Sequence, residues 1–373
     1  VTDPLRIAHL TPTYFSDASV IGGGERYVDN LVRALATAGG FVQEVVSLGS
    51  AAATRGMDQA TLRVLANDAP EAGAMAGVAA SLRDAVHDYD LVHVHQSLTT
   101  FGAYCTALAR SAGVPAIGTD LGGGADELML RRGGIELLDG VISISAFAHR
   151  LLGGAFTGPS DVLIGPVDTD AFTPDPTVER DPRLVLCVGR ILPHKGVDRI
   201  IAALPPSLRL VVIGRVYDAD YHALLRDRAQ GRDVHFVHDA DDAALLDHYR
   251  RASVLVQAST ARDVYGRMIE KPELMGLTTL EAMACGLPAI VSDAGSLPEL
   301  VPDPRFGRVF STTDDLAALL GDLAAGRWPA PGAAGLARHH VVAHHGMAAI
   351  GRRLAAFYRA VHAAPRWGRP CAS

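Results

Sequence analysis

The residues with the plainest capacity for chemistry lie at Glu273-Leu-Met-Gly-Leu-Thr-Thr-Leu-Glu281, which runs on into Ala282-Met-Ala-Cys-Gly286-Leu-Pro288. Two glutamates are separated by seven residues, with Gly276 in a loop and an apolar helical pattern beginning at Leu277. A helix start offers free backbone N–H groups and the positive end of its dipole, a combination suited to a diphosphate. Met275, Gly276, Leu277 and Thr278 are therefore expected beside such a group. Glu273 precedes the helix and can point at sugar hydroxyls. Glu281 lies on the helix, and an ionised carboxylate, which only accepts, can take both hydroxyls of a ribose diol. Gly286-Leu287-Pro288 ends the helix and begins the next strand. A bare pair of glutamates at this spacing is common in any helix; the full string is far more specific.

The second set is Val188-Gly189-Arg190-Ile-Leu-Pro-His-Lys195-Gly196. Gly189 lets the backbone approach a ligand, while Arg190 and Lys195 put two cations before a helix start, matching a leaving diphosphate. An isolated Arg and Lys at this spacing would equally be solvated loop charges. Of 34 basic residues only Lys195 and Lys271 are lysines, so a lysine retained in this Arg-rich chain is a candidate for a chemical role. Val212-Ile213-Gly214 reads as a strand end facing a ligand. Gly22-Gly23-Gly24-Glu25 stands between a strand and a helix, but a dinucleotide fingerprint would need glycine at Tyr27. In Asp90-Leu-Val-His93-Val-His95, alternation puts both histidines on one face; His95 is either a hydrogen-bonded core residue or a candidate to line an acceptor site. Ile117-Gly118-Thr119-Asp120 leaves Asp120 as the polar group of its loop.

The segment from Glu273 to Pro288 resembles the signature of glycosyltransferase family 4, retaining enzymes of the GT-B fold. Further matches run from about residue 5 to about residue 310. The resemblance implies that Arg190 and Lys195 contact the donor's phosphates. It implies too that Gly23 and Gly24 touch donor phosphate or acceptor, and that the backbone of Val234–Asp239 reads the base, with Asp239 at its end. Three departures stand out: Met275 where an aromatic is usual, His238 where glycine is usual, and Ile117 where a histidine is usual. Gly165–Pro174 resembles the family's linker. The implied reaction moves a hexose-type sugar from a nucleoside diphosphate sugar, UDP- or GDP-linked, to a hydroxyl acceptor with retention. No cofactor and no metal are expected, because two cations can replace one. Asp218-Ala-Asp220 and Asp239-Ala-Asp241 imitate a metal-binding pair, but each sits where a helix cap is expected. A sugar-nucleotide epimerase and a non-catalytic nucleotide-sugar-binding protein remain as alternatives.

These residues need elements to position them. Short apolar runs alternate with amphipathic stretches, the pattern of βαβ units with parallel sheets. Strands are expected at Leu5–Leu10, Val42–Ser47, Leu91–His95, Pro115–Gly118 and Val141–Ile144, with helices at Glu25–Ala36, Ala72–His87 and Thr99–Ala112. After Gly165–Pro182, read as a linker, strands follow at Leu184–Val188, Leu208–Ile213, Val234–Val237, Val254–Gln257 and Ala289–Ser292. The helices between them are expected at Gly196–Leu204, Asp220–Ala229, Asp241–Arg251 and Leu277–Cys285. The fold class is thus α/β, GT-B, with two Rossmann-like domains facing each other across a cleft: 1–165 for the acceptor, 166–345 for the donor, and a helix within 346–364 crossing back. At 373 residues with 49% apolar and 20% charged content, two globular domains are the natural division.

Bulk properties exclude several classes. A net charge of −7 argues against nucleic-acid binding, which needs a basic face. No apolar run approaches the ~20 residues of a membrane span, and the start lacks a secretory pattern, so a cytoplasmic location is expected. Cys105, Cys187, Cys285 and Cys371 are scattered without metal spacing and read as free thiols. Residues 1–165 hold 10 Arg and no Lys against 17 Asp and Glu, a balance of −7. With Asp120, Asp126 and Glu127 in one loop, that balance points either to acids that merely keep the surface soluble or to a small polar acceptor, with or without an amine, rather than an anionic phospholipid, since a negative site concentrates cations.

Overall fold

A computed structural model describes residues 3–15, 23–122, 129–130 and 132–364. The chain divides into two compact units, Val1–Pro166 with Met347–Ser373, and Val167–Gly346.

The first unit is built on strands β1 (Leu5–Leu10), β2 (Phe41–Gly49), β3 (Ala53–Gly56), β4 (Thr61–Ala66), β5 (Leu91–His95), β6 (Ala116–Thr119), β7 (Gly140–Ser143) and β8 (Ser160–Val162). Their order is β3-β4-β2-β1-β5-β6-β7-β8, parallel throughout except for β3 on β4. β5 is buried at every residue, as a strand covered on both faces must be. Helix α1 (Gly23–Ala38) turns Tyr27, Val28, Leu31, Val32 and Leu35 inward at three- and four-residue spacing. Helix α2 (Thr100–Ala112) is capped by the Thr99 hydroxyl, which accepts from the Gly102 amide, and stops at Gly113 in the left-handed region.

The sequence pattern misplaces one stretch. Instead of a helix over Ala72–His87, there are short 3₁₀ turns at Pro70–Ala72 and Ala74–Ala76 and single helical turns from Leu82. Gly73, at φ 79°, breaks the run, and at Gly77 an added Cβ would lie 2.6 Å from Leu48, so the chain is pressed flat onto β2. The antiparallel β3–β4 ribbon, exposed along β3, was not legible either.

The second unit is a fully parallel sheet of described strands β9 (Leu184–Val188), β10 (Arg209–Ile213), β11 (Val234–Val237), β12 (Val254–Gln257), β13 (Ala289–Ser292) and β14 (Gly307–Phe310). Their order is β11-β10-β9-β12-β13-β14. Helices α3 (Val197–Ala203), α4 (Ala219–Arg228), α5 (Asp242–Arg251), α6 (Leu277–Ala284), α7 (Thr313–Ala324) and α8 (Ala333–His345) join or follow these strands. Val185, Leu210, Val212, Ile200, Tyr221, Val254, Leu316 and Leu320 share one buried core. The stretch 165–182 belongs to this unit beyond Pro166: Arg180 donates to the carbonyls of Ala252 and Cys285. Cys105, Cys187 and Cys285 are buried free thiols; Cys371 lies outside the described residues.

The terminal helix α9 (Met347–Ala363) belongs to the first unit and lies directly on α1. A Cβ at Gly351 would stand 2.0 Å from the Ala34 carbonyl, so only glycine permits this approach. No described helix is long and apolar enough to cross a membrane. On the inner side of α9, Tyr358 meets a cluster of fully buried histidines, His9, His93 and His95. Hydrogen bonding assigns their protons. The Gln43 amide N–H₂ donates to the Val32 carbonyl, so its oxygen accepts from His9 Nε2. His9 Nδ1 is then a bare acceptor and takes the Nε2 proton of His95 at 3.2 Å. Thr119 donates to the Ile142 carbonyl and so accepts from His93 Nε2, leaving His93 Nδ1 to accept from the Tyr358 hydroxyl at 2.6 Å.

Burial keeps all three rings neutral, as this proton assignment requires, and pushes their pKa values down, for His9 to about 4. Folded values below the unfolded 6.5 mean that the unfolded chain binds more protons at intermediate pH. Their stability is thus complete above pH 6.5 and lost as pH falls toward 4. Each histidine contributes up to about 1.4 kcal/mol per pH unit in that window. Denaturant unfolding followed from pH 7.5 to 4.5 should show this loss, and His9→Gln should flatten the slope by about one proton. A flat profile in the parent chain contradicts the assignment.

Candidate functional site

In the second unit, β9 and β10 end at Gly189 and Gly214, and their backbones touch. The Gly189 amide donates to the Ile213 carbonyl, and the Gly214 amide to that of Val237. A Cβ at Gly214 would stand 1.9 Å from the Gly189 carbonyl oxygen. The loop beyond β9 carries Arg190, stacked over the Tyr217 ring at 5.7 Å, and Lys195, on a single turn at Pro193–Lys195. Gly196 follows at φ 64°, pressed so closely against the Ala258 carbonyl that a Cβ would lie 2.0 Å away.

That close approach aims Lys195 at Glu273. The ammonium donates to Oε2 at 2.7 Å, with the two side chains only 15% and 17% exposed. Burial pushes the Glu273 pKa up, but Lys195, helped by Arg190, more than offsets this and holds the carboxyl below its usual range. Glu273 is itself fixed through its backbone: its carbonyl accepts from the Ser296 amide, and a Cβ at Gly295 would stand 2.1 Å from that carbonyl. Three residues on, Gly276 caps α6 at φ 77° with no side-chain cap, so the amides at the start of α6 lack a capping side chain. Met275 and Leu277 are buried on either side at 7% and 6% exposure. Gln257, at the end of β12, donates both to the Val188 carbonyl and to the Thr278 hydroxyl, tying α6 to β9.

The structure thus brings Gly189, Arg190, Lys195, Gly214, Glu273, Gly276 and Thr278 to one end of one sheet, where open parallel sheets bind ligands. Glu281 lies deeper on α6, 3% exposed, and accepts from the hydroxyl of fully buried Tyr249 at 3.0 Å. Asp239 is exposed beyond β11. Next to it the His238 Nδ1 proton goes to the Gly214 carbonyl at 3.0 Å. Asp218 and Asp241 each cap a helix, accepting from the amides of Tyr221 and Ala244. The sequence reading missed Gln257, Tyr249, Tyr217 and Ser296. Only Gln257 carried a signal, as a polar residue closing a fully apolar strand.

In the first unit Gly23 and Gly24 open α1, and Asp120 follows β6, accepting from the Gly122 amide. Asp126 and Glu127 lie outside the described residues. His95 has no exposed surface; its Nε2 bonds to His9 and its Nδ1 has no partner among the described residues, so of the two readings of this histidine the structure places it in the core. Alternation put His93 and His95 on one face as expected, but α9 covers that face. Among the described residues, His9, His93 and His95 also form the one grouping with metal-ligand spacing. Their protons are already committed to Gln43, Thr119 and each other.

Residues 168–326 match the family description "Glycosyl transferases group 1", and residues 22–164 match "Glycosyl transferase 4-like domain". A GDP-mannose-dependent alpha-(1-6)-phosphatidylinositol monomannoside mannosyltransferase of Mycolicibacterium smegmatis is 33% identical over 249 residues, 61% of this chain. The match spans 63% of that relative's length, a little under two thirds. A D-inositol 3-phosphate glycosyltransferase of Mycobacteroides abscessus is 32% identical over 44% of this chain and 38% of its own length. The fold is shared with a sucrose-phosphate synthase of Thermosynechococcus elongatus at TM-score 0.76, 22% identity, and 97% and 100% coverage of the two chains. It is shared too with the Anabaena protein HepE, solved with UDP and glucose, at TM-score 0.73, 17% identity, and 95% and 100% coverage. These solved neighbours are GT-B glycosyltransferases, and the two parallel-sheet α/β units here are consistent with that fold.

The contact between Gly189 and Gly214 predicts an asymmetry. Gly214→Ala must push two strand ends apart and should cost about 1–3 kcal/mol in urea unfolding. Gly321→Ala, in the middle of α7 with nothing within 4 Å of the added Cβ, should stabilise by up to about 1 kcal/mol. Equal midpoints for the two variants contradict the close approach.

Proposed function

The chain belongs to glycosyltransferase family 4, and from that premise we propose that it moves a hexose from a guanosine diphosphate sugar to a hydroxyl of a small polar acceptor. The observation that carries this reading is the buried Lys195–Glu273 pair beside the start of α6. An ammonium has three donors and Glu273 takes one, so Lys195 can keep its partner and still reach an incoming phosphate oxygen. Arg190 and the amides at Leu277 and Thr278 complete a cationic rim. Two of the most similar relatives are named for GDP-mannose, which favours guanosine over uridine.

The reaction proceeds with retention and without a metal. The bond between the anomeric carbon and the diphosphate oxygen breaks, and the acceptor oxygen bonds to that carbon on the same face. The acceptor's proton passes to the departing phosphate oxygen, so no protein nucleophile is needed. The protein positions both partners and stabilises the charge growing on the diphosphate. Glu273, ionised by its lysine, accepts from sugar hydroxyls. Glu281, its orientation set by Tyr249, accepts from the ribose.

Calorimetry with GDP and UDP tests the donor, and GDP should bind more tightly; absence of binding by either would remove the reading. Lys195→Ala and Arg190→Ala should each lower turnover by on the order of 10- to 100-fold, the worth of one charge-assisted contact. Glu281→Gln should weaken free GDP, whereas Glu273→Gln should spare it and impair transfer; equal losses contradict the two roles. Turnover should survive excess EDTA. Loss restored by magnesium or manganese would reverse the metal-independent mechanism.

A further inference from the structure

Among the described residues, Glu25 in the first unit is an unusual carboxylate. It is 7% exposed, and neither of its oxygens has a hydrogen-bond partner among the described residues. A buried polar group normally finds partners, because leaving it without them forfeits its hydration for nothing. Its place in the first turn of the 16-residue helix α1 explains how it is tolerated, since the positive helix end favours an anion. It does not explain what the oxygens are for.

Among the described residues no donor reaches the two oxygens. Val28 and Val32, one and two turns further along the same face, are buried with Tyr14, Val45 and Leu62 in an apolar cluster. The Tyr14 hydroxyl lies close enough to feel the Glu25 charge, but its proton goes to Asp29 at 2.6 Å. A Cβ on neighbouring Gly24 would lie 3.7 Å from Leu121 and 3.8 Å from the Gln96 amide nitrogen. The loops after β5 and β6 therefore meet the start of α1. Gln96 holds a positive φ of 60°, which among described non-glycine residues only Phe15 shares. Backbone strain of this kind collects at ligand sites and is kept only where neighbours enforce it.

We propose that Glu25 is an acceptor-binding residue whose carboxylate receives two vicinal hydroxyls of an uncharged polyol. A carboxylate accepts from a diol in the same way that it accepts from a ribose, and it repels a phosphate. This rests on the transfer reaction above and names the chemistry of the acceptor for it.

The test uses the full chain, saturated with GDP, titrated with myo-inositol and with D-mannose as polyol probes. The parent chain should bind at least one of them, and Glu25→Gln should bind it about tenfold more weakly or worse. GDP affinity should agree within about twofold between the two proteins. The melting temperature of Glu25→Gln should equal or exceed that of the parent, because a buried unpaired charge is removed. Failure of the parent chain to bind either polyol, equal affinity in both proteins, or a melting temperature several degrees lower in the variant overturns the proposal. Failure of the parent chain to bind GDP would instead strike the donor reading.

Discussion

The ion pair between Lys195 and Glu273 is the contact around which the second unit's loops are arranged. Bringing two charges out of water is costly, and removing one partner strands the other, at about 3–5 kcal/mol. The pair therefore cannot be positioned loosely. It is held from both sides by backbone approaches that no side chain could survive: Gly196 against the Ala258 carbonyl, and Gly295 against the Glu273 carbonyl. Gln257 adds a third tie, joining the end of β9 to the start of α6 through two hydrogen bonds. The capless start of α6, the strand ends at Gly189 and Gly214, and the two cations thus form one rigid set.

The first unit handles buried polar groups in two opposite ways. Around His9, His93 and His95 nearly every proton has a determined destination, and the chain of bonds runs from Tyr358 on α9 through Thr119 to the Ile142 carbonyl. Only His95 Nδ1 is left over. Such a network specifies how the returning terminal helix seats, because a shifted α9 would orphan a fully buried phenol. At the start of α1 the reverse holds: a carboxylate is buried and left without donors. Satisfied polar groups specify the fold, while unsatisfied ones mark where a ligand would be welcome.

How much of this was legible beforehand depends on the range over which each feature is encoded. The strand from Leu184 to Val188 was visible because burial on both faces demands an unbroken apolar run. Helix α1 was visible because its inward residues recur at helical spacing. The string from Glu273 to Pro288 carried the family resemblance because its glycines, helix start and two glutamates stand in fixed order along the chain. Those are local demands, and sequence alone met them.

The remainder was decided by tertiary structure. Nothing local shows that Gly77 is pressed against Leu48 of β2, so the periodicity of this stretch points to a helix that the packing forbids. Alternation placed His93 and His95 on one face but could not say that α9, arriving from the far end of the chain, covers it. The partnership of Lys195 with Glu273 joins residues 78 positions apart, and Glu25 is notable for a partner it lacks. A residue's neighbours along the chain determine its local conformation, but its solvation and charge are settled by whatever the rest of the fold brings alongside.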